Sequence, residues 1–254
     1  MRARWYVAIG ALGYLVALAA TAPASLVADQ VLQRTVPPQA LSVRRVSGTL
    51  GDGAADLFVA GRSLGRCSWR FRPLSLVRGR LGFDLALVMA GGRLEGAVGV
   101  GPGPSVVLQQ TDGQLAVAEL RPYMSPEVRP WLVGGNLSLQ VQSAELEPAG
   151  LQRLDGVLVW RDAEVGIARD VNLGDLRLAV STTAEGTMEG VVEDGGGLLE
   201  VRGGFVLTAD GRYRGDVTLG TRPGAPPRLG ETLAMLGRPD ENGRTTLSLQ
   251  GSLF

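Results

Sequence analysis

From Leu199 the odd positions read Leu199, Val201, Gly203, Phe205 and Leu207, with Glu200, Arg202, Gly204 and Thr208 polar or small between them. A period of two means one buried face and one wet face, which predicts a β-strand. Asp210-Gly211 follows, and Tyr213, Gly215, Val217 and Leu219 resume the alternation. An Asp-Gly pair between two such runs predicts a hairpin. The same alternation runs through Leu81, Phe83, Leu85, Leu87 and Met89, turns at Gly91-Gly92, and returns through Leu94, Gly96, Val98 and Val100. Shorter strand signals lie at Leu57 and Val59, Ser68 to Phe71, Val106 to Gln110, Leu137 to Val141, Val157 to Trp160, Leu176 to Val180, Met188 to Val192, and Leu247 to Leu253.

Helical spacing is rare. It predicts one helix over Leu229–Leu236, bounded by Pro226-Pro227 and Gly237-Arg238-Pro239, and another over Ser25–Gln33, stopped by Pro37-Pro38. Leu115 to Val133 has helical character broken by Pro122, Pro126 and Pro130, and is read as a link between two sheet halves. Gly65 to Arg70 and Gly156 to Arg161 each carry a glycine, a short strand and Trp-Arg, a faint internal echo.

The N-terminus departs from this pattern. Trp5 to Ala28 carries no charged side chain and follows Arg2 and Arg4. A run of this length suits one membrane-spanning helix, and the flanking arginines put its N-terminus in the cytoplasm. A cleaved signal peptide is the alternative, with small-residue sites at Ala20-Thr21-Ala22 and Ala22-Pro23-Ala24. Cleavage after Ala22 leaves proline first, so an uncleaved anchor is preferred. Residues 1–28 are thus read as the anchor and 29–254 as a periplasmic β domain.

Composition agrees with short strands and tight turns: 254 residues, 45% hydrophobic, 37 glycines and 5% aromatics. Charge sums to zero, so no global field draws nucleic acid. Residues 1–84 hold eleven Arg against four acids, and residues 85–254 fourteen Arg against twenty-one acids.

The chain has no His, no Lys and a single Cys, Cys67. A His/Cys zinc site is therefore impossible, and most general-base and nucleophilic mechanisms lose their usual residues. No catalytic, cofactor-binding or metal-ligating residue is assigned. Gly61-Arg62-Ser63-Leu64-Gly65 has the spacing of a nucleophile elbow, but no histidine can serve it. Gly99 to Pro104 is glycine-rich, but its prolines remove phosphate-binding donors and no helix follows. Cys67, beside Trp69 in a strand pattern, reads as a small core residue.

Between Asp56 and Asp84 stand six arginines and no acid: Arg62, Arg66, Arg70, Arg72, Arg78 and Arg80. They are the candidate contact for an acidic partner surface or anionic lipid headgroups. The competing reading is a solvated strand face paired with acids of the same molecule. A terminal Phe254 and alternating strands raise an outer-membrane barrel. The aromatics are too few for two girdles, and the last strand's expected buried set (Leu247, Leu249, Gly251, Leu253) turns Phe254 the other way.

Several segments, in this order and spacing, resemble the type II secretion system protein N family of Gram-negative bacteria. They include Ala22 to Val27, Val46 to Leu50 with Gly53 to Ala55, Leu64 to Trp69 with Pro73 to Leu76 and Gly79 to Leu81, Gly156 to Ala163, and Asn172 to Leu176. The tail is the most specific part: Asp194 to Leu199, Gly211 to Tyr213, Leu236 to Asp240, and Gly243-Arg244. The resemblance implies a non-enzymatic, bitopic inner-membrane protein whose periplasmic β domain contacts other type II secretion components during export of folded proteins. The strands are also similar to the AsmA-like group, whose curved sheets present an apolar groove to lipid. The expected fold is therefore mostly β: an N-terminal transmembrane helix followed by a curved, largely antiparallel sheet.

Overall fold

A computed structural model describes residues 23–24, 41–101, 103, 105–124, 129, 133–166 and 172–252. The expected anchor and the helix over Ser25–Gln33 lie outside these residues, apart from Pro23 and Ala24. Among the described residues no helix is long and apolar enough to cross a membrane. The described chain is mostly β, with antiparallel pairing in every registered pair, and falls into two compact units, residues 1–90 and 91–254.

The first unit holds β1 (Leu41–Gly48), β2 (Asp52–Val59), β3 (Arg62–Arg72) and β4 (Leu81–Met89). Each pairs with the next in sequence, a plain meander. Ala60 and Gly61 alone join β2 to β3, with φ of +49° and +77°, the left-handed pair that a two-residue hairpin requires. A 3-10 turn, Pro73–Arg78, joins β3 to β4; the Ser75 hydroxyl donates to the Arg72 carbonyl and accepts from the Gly82 amide.

The second unit is a nine-stranded meander: β5 (Gly92–Val100), β6 (Val106–Ala116), β7 (Gly134–Glu147), β8 (Gly150–Glu164), β9 (Leu176–Thr182), β10 (Met188–Asp194), β11 (Leu199–Leu207), β12 (Arg212–Thr221) and β13 (Thr245–Ser252). Among the described residues two short helices interrupt it, α1 (Val117–Leu120) and α2 (Pro227–Leu236). The predicted hairpin is β11–β12, with Gly211 at φ +82°. Leu115 and Ala116, read as the start of a helical link, instead close β6, and only Val117–Leu120 is α-helical before a 3-10 turn.

The fully buried core is small. Leu229 and Leu233 of α2 pack with Ala163, Leu173, Leu199 and Val201, and Trp160, Leu176, Val192, Val217 and Leu219 border them. One ten-residue helix thus covers one end of a nine-stranded sheet.

Candidate functional site

Registered pairing places Leu94, Gly113, Leu139, Leu158, Leu178, Val192, Gly203, Val217 and Leu247 in one row, one residue from each of β5 to β13. All nine are apolar or glycine, and none is fully buried. The next row, on the opposite face, reads Arg93, Gln114, Ser138, Val159, Arg177, Glu193, Arg202, Thr218 and Thr246. The second unit is therefore a single sheet with an apolar and a polar face, and its apolar row is half-buried at every strand. A sheet normally packs such a face against another layer. Among the described residues α2 supplies that layer, at one end.

Glycines on this face make room for aromatic rings. A Cβ on Gly190 would lie 2.1 Å from the Phe205 ring. The ring thus fills the space a side chain would take.

The six arginines do not form one surface. Arg66, Arg70 and Arg72 alternate on one exposed face of β3, while Cys67, Trp69 and Phe71 point to the other. That basic face is flanked by acids in register: Asp56 opposite Arg66, Asp52 opposite Arg70 on one side, and Asp84 opposite Arg70 on the other. Arg70 pairs with Asp52 at 3.4 Å and Arg72 with Asp84 at 3.6 Å, whereas Asp56 is taken by Arg45 at 3.4 Å. Between Arg66 and Arg62 the pairing slips by one residue: Leu57 faces Gly65 but Phe58 faces Ser63. The slip reverses the alternation, so Arg62, opposite Val59, leaves the Arg66 face. Arg80 is exposed just before β4, and the side chain of Arg78 lies outside the described residues. At this end of the hairpin, Leu74 and Val77 are 81% and 87% exposed.

Among the described residues no three of Cys, Asp and Glu come together as a metal-ligand set. Ser63 of the elbow-like motif sits in β3, in a strand-to-strand setting. Burial pushes the Cys67 thiol up from its ordinary value, away from the thiolate form that reacts.

The residues that hold the C-terminal part together were invisible as a set. Asp194, with a side chain 7% exposed, accepts from the Val201 and Gly196 amides at 2.9 Å each and pairs with Arg222 at 2.6 Å. Burial raises its carboxyl, but the Val201 amide, the Arg222 guanidinium and the Gly196 amide outweigh it, and the net shift is downward. Arg222 also donates to the Gly197 and Leu199 carbonyls. Gly197 lies against Gly174, where a Cβ would come within 1.9 Å of the Leu173 carbonyl. The Asp-Gly-Gly-Gly run thus fixes the β10–β11 turn to the end of β12. Its signal was an acid beside glycines, with no hint of the arginine twenty-eight residues on. Asp155 plays a similar part between β7, β8 and β9: it accepts from the Thr182 amide, the Ser143 hydroxyl and Arg153, each at 2.8 Å.

The family described as "Type II secretion system (T2SS), protein N" matches residues 39–248. A type II secretion system protein N from Pectobacterium carotovorum subsp. carotovorum is 29% identical over 256 residues, covering 96% of this chain and 94% of that relative. One from Aeromonas hydrophila is 29% identical, covering 94% of each chain. One from Klebsiella pneumoniae is 33% identical over 46% of this chain and 47% of its own length. No solved structure matches. The match takes in all of β1 to β12 and the first half of β13, and the chain belongs to the type II secretion system protein N family.

Proposed function

We propose that the protein is a non-enzymatic, inner-membrane component of the type II secretion system, with residues 1–28 as its anchor and residues 29–254 on the periplasmic side. It supports export of folded proteins across the outer membrane by binding other components of the system. The observation that carries this reading is the family match over residues 39–248, extended nearly end to end by relatives of the same name. The absence of His and Lys supports the non-enzymatic part. The basic face of β3 (Arg66, Arg70, Arg72), the other arginines of the run (Arg62, Arg78 and Arg80) and the β11–β12 hairpin are the proposed contact surfaces. Nucleic acid has no part in it.

The reading is tested by deleting the gene and following a folded exoprotein. Accumulation in the periplasm is expected, and normal release would refute the role. Charge reversal of Arg66, Arg70 and Arg72 together should weaken release at unchanged protein level if that face meets an acidic partner.

A second reading has its own support, the apolar row across β5 to β13, half-buried and nowhere fully covered. A single-layer sheet of this kind suits acyl chains, as in a lipid-binding or lipid-transfer envelope protein. Native mass spectrometry of the detergent-purified protein separates the two: retained phospholipid supports lipid binding, and its absence removes it.

A further inference from the structure

We infer that the β3–β4 turn is a lipid-contacting tip, a reading that rests on the proposed anchor over residues 1–28. Leu74 and Val77 enter the headgroup layer of the anchor's own membrane, and Arg80 meets anionic headgroups there.

Pro73–Arg78 is a 3-10 turn. Residues three apart in such a turn eclipse one another, so Leu74 and Val77 project from one side. They are 81% and 87% exposed, and Leu81, at the start of β4, is 49% exposed. Backbone bonds hold this shape. The Gly79 amide donates to the Leu76 carbonyl at 2.9 Å, and the Arg80 amide to the Ser75 carbonyl at 3.2 Å. Exposed apolar side chains beside a cation suit an interface where one part is apolar and the next charged. The acids registered nearest the turn, Asp52 and Asp84, are paired with Arg70 and Arg72, while Arg80 is exposed with no ion pair among the described residues. Anionic headgroups would meet an unneutralised charge.

A lipid surface is favoured over a protein partner by where the uncharged N-terminal run ends. Pro23, near the end of that run, makes an isolated antiparallel bridge to Thr49 in the β1–β2 turn. The Trp69 indole donates to the Thr49 carbonyl, and the Phe71 amide donates to the Gly51 carbonyl at 2.6 Å. Phe71 and Arg72 lead directly into Pro73. Pro23 and the tip therefore lie at the same end of the first unit's sheet. Ala90 lies at the other end, about 26 Å away along β4.

The test uses the full chain, in a Cys67→Ala background, reconstituted in vesicles of phosphatidylethanolamine and phosphatidylglycerol. A nitrobenzoxadiazole probe on Leu74→Cys or Val77→Cys should be quenched by headgroup-labelled nitroxide lipid at least about threefold more than one on Ala90→Cys. Arg80→Glu, or phosphatidylcholine in place of phosphatidylglycerol, should cut the quenching at position 74 by about half or more. Far-UV circular dichroism checks that each variant keeps its fold. Alkaline carbonate extraction reads the anchor separately: extraction with the quenching retained would refute the anchor and leave the tip's lipid contact standing. Positions 74 and 77 quenched no more than position 90 would overturn the inference and leave the tip to a protein partner. Quenching indifferent to both Arg80→Glu and headgroup charge would overturn the part assigned to Arg80.

Discussion

Replacing Asp194 with alanine removes three interactions at once: the acceptor for the Val201 amide, the acceptor for the Gly196 amide, and the partner of Arg222. Hydrogen bonds to a charged group contribute about 1.5–3 kcal/mol each, and removing one partner of a buried ion pair costs about 3–5 kcal/mol. These do not add. The Arg222 side chain is 36% exposed and keeps the Gly197 and Leu199 carbonyls, so part of it rehydrates. We expect a loss of about 3 kcal/mol, or a Tm lowered by ~6–12 °C for a unit of this size. Thermal unfolding followed by circular dichroism, in detergent at neutral pH, measures it. The pH dependence adds a second arm with Asp194→Asn. A carboxyl whose folded pKa is depressed stabilises above its unfolded value, ordinarily 3.8, and loses that contribution as pH falls through the folded pKa. The Tm gap between wild type and Asp194→Asn should hold constant above about pH 5 and shrink below pH 4. A loss under about 1 kcal/mol, or a gap unchanged in acid, would refute the assignment of Asp194 as the tie between the β10–β11 turn and β12.

Further outcomes follow from the same geometry. Leu233→Ala empties the buried face of α2 against Leu199 and Val201 and should cost about 2–4 kcal/mol in denaturant unfolding. Arg70→Ala, at a pair whose side chains are 76% and 69% exposed, should change stability by less than about 0.5 kcal/mol. Cys67 in the folded protein should react with iodoacetamide markedly more slowly at pH 7–8 than in the unfolded chain. Equal rates would contradict its burial.

Alternation made most of the sheet legible, because in a single-layer antiparallel sheet the face a residue occupies is fixed by parity alone. It failed where parity is broken. β1 gave no strand signal, since Arg44-Arg45 and the bulge after them interrupt the period. The same kind of slip, between Gly65 and Ser63, puts Arg62 and Arg66 on opposite faces although both stand at even positions. In β13 the phase was right and the burial was not: Leu247 is half-buried, while Leu249 and Gly251 are exposed, because an edge strand has a neighbour on one side only. In the two Trp-Arg segments the Trp69 indole donates to the Thr49 carbonyl in the β1–β2 turn and the Trp160 indole to the Gly134 carbonyl at the start of β7. Pairings between distant residues, such as Asp194 with Arg222, leave no period to read.

A role in secretion is read out by restoring the gene to a deletion strain and measuring how a folded exoprotein divides between periplasm and medium. Periplasmic retention is expected in the deletion, with release restored by the intact chain. Release at the wild-type rate without the gene would contradict it.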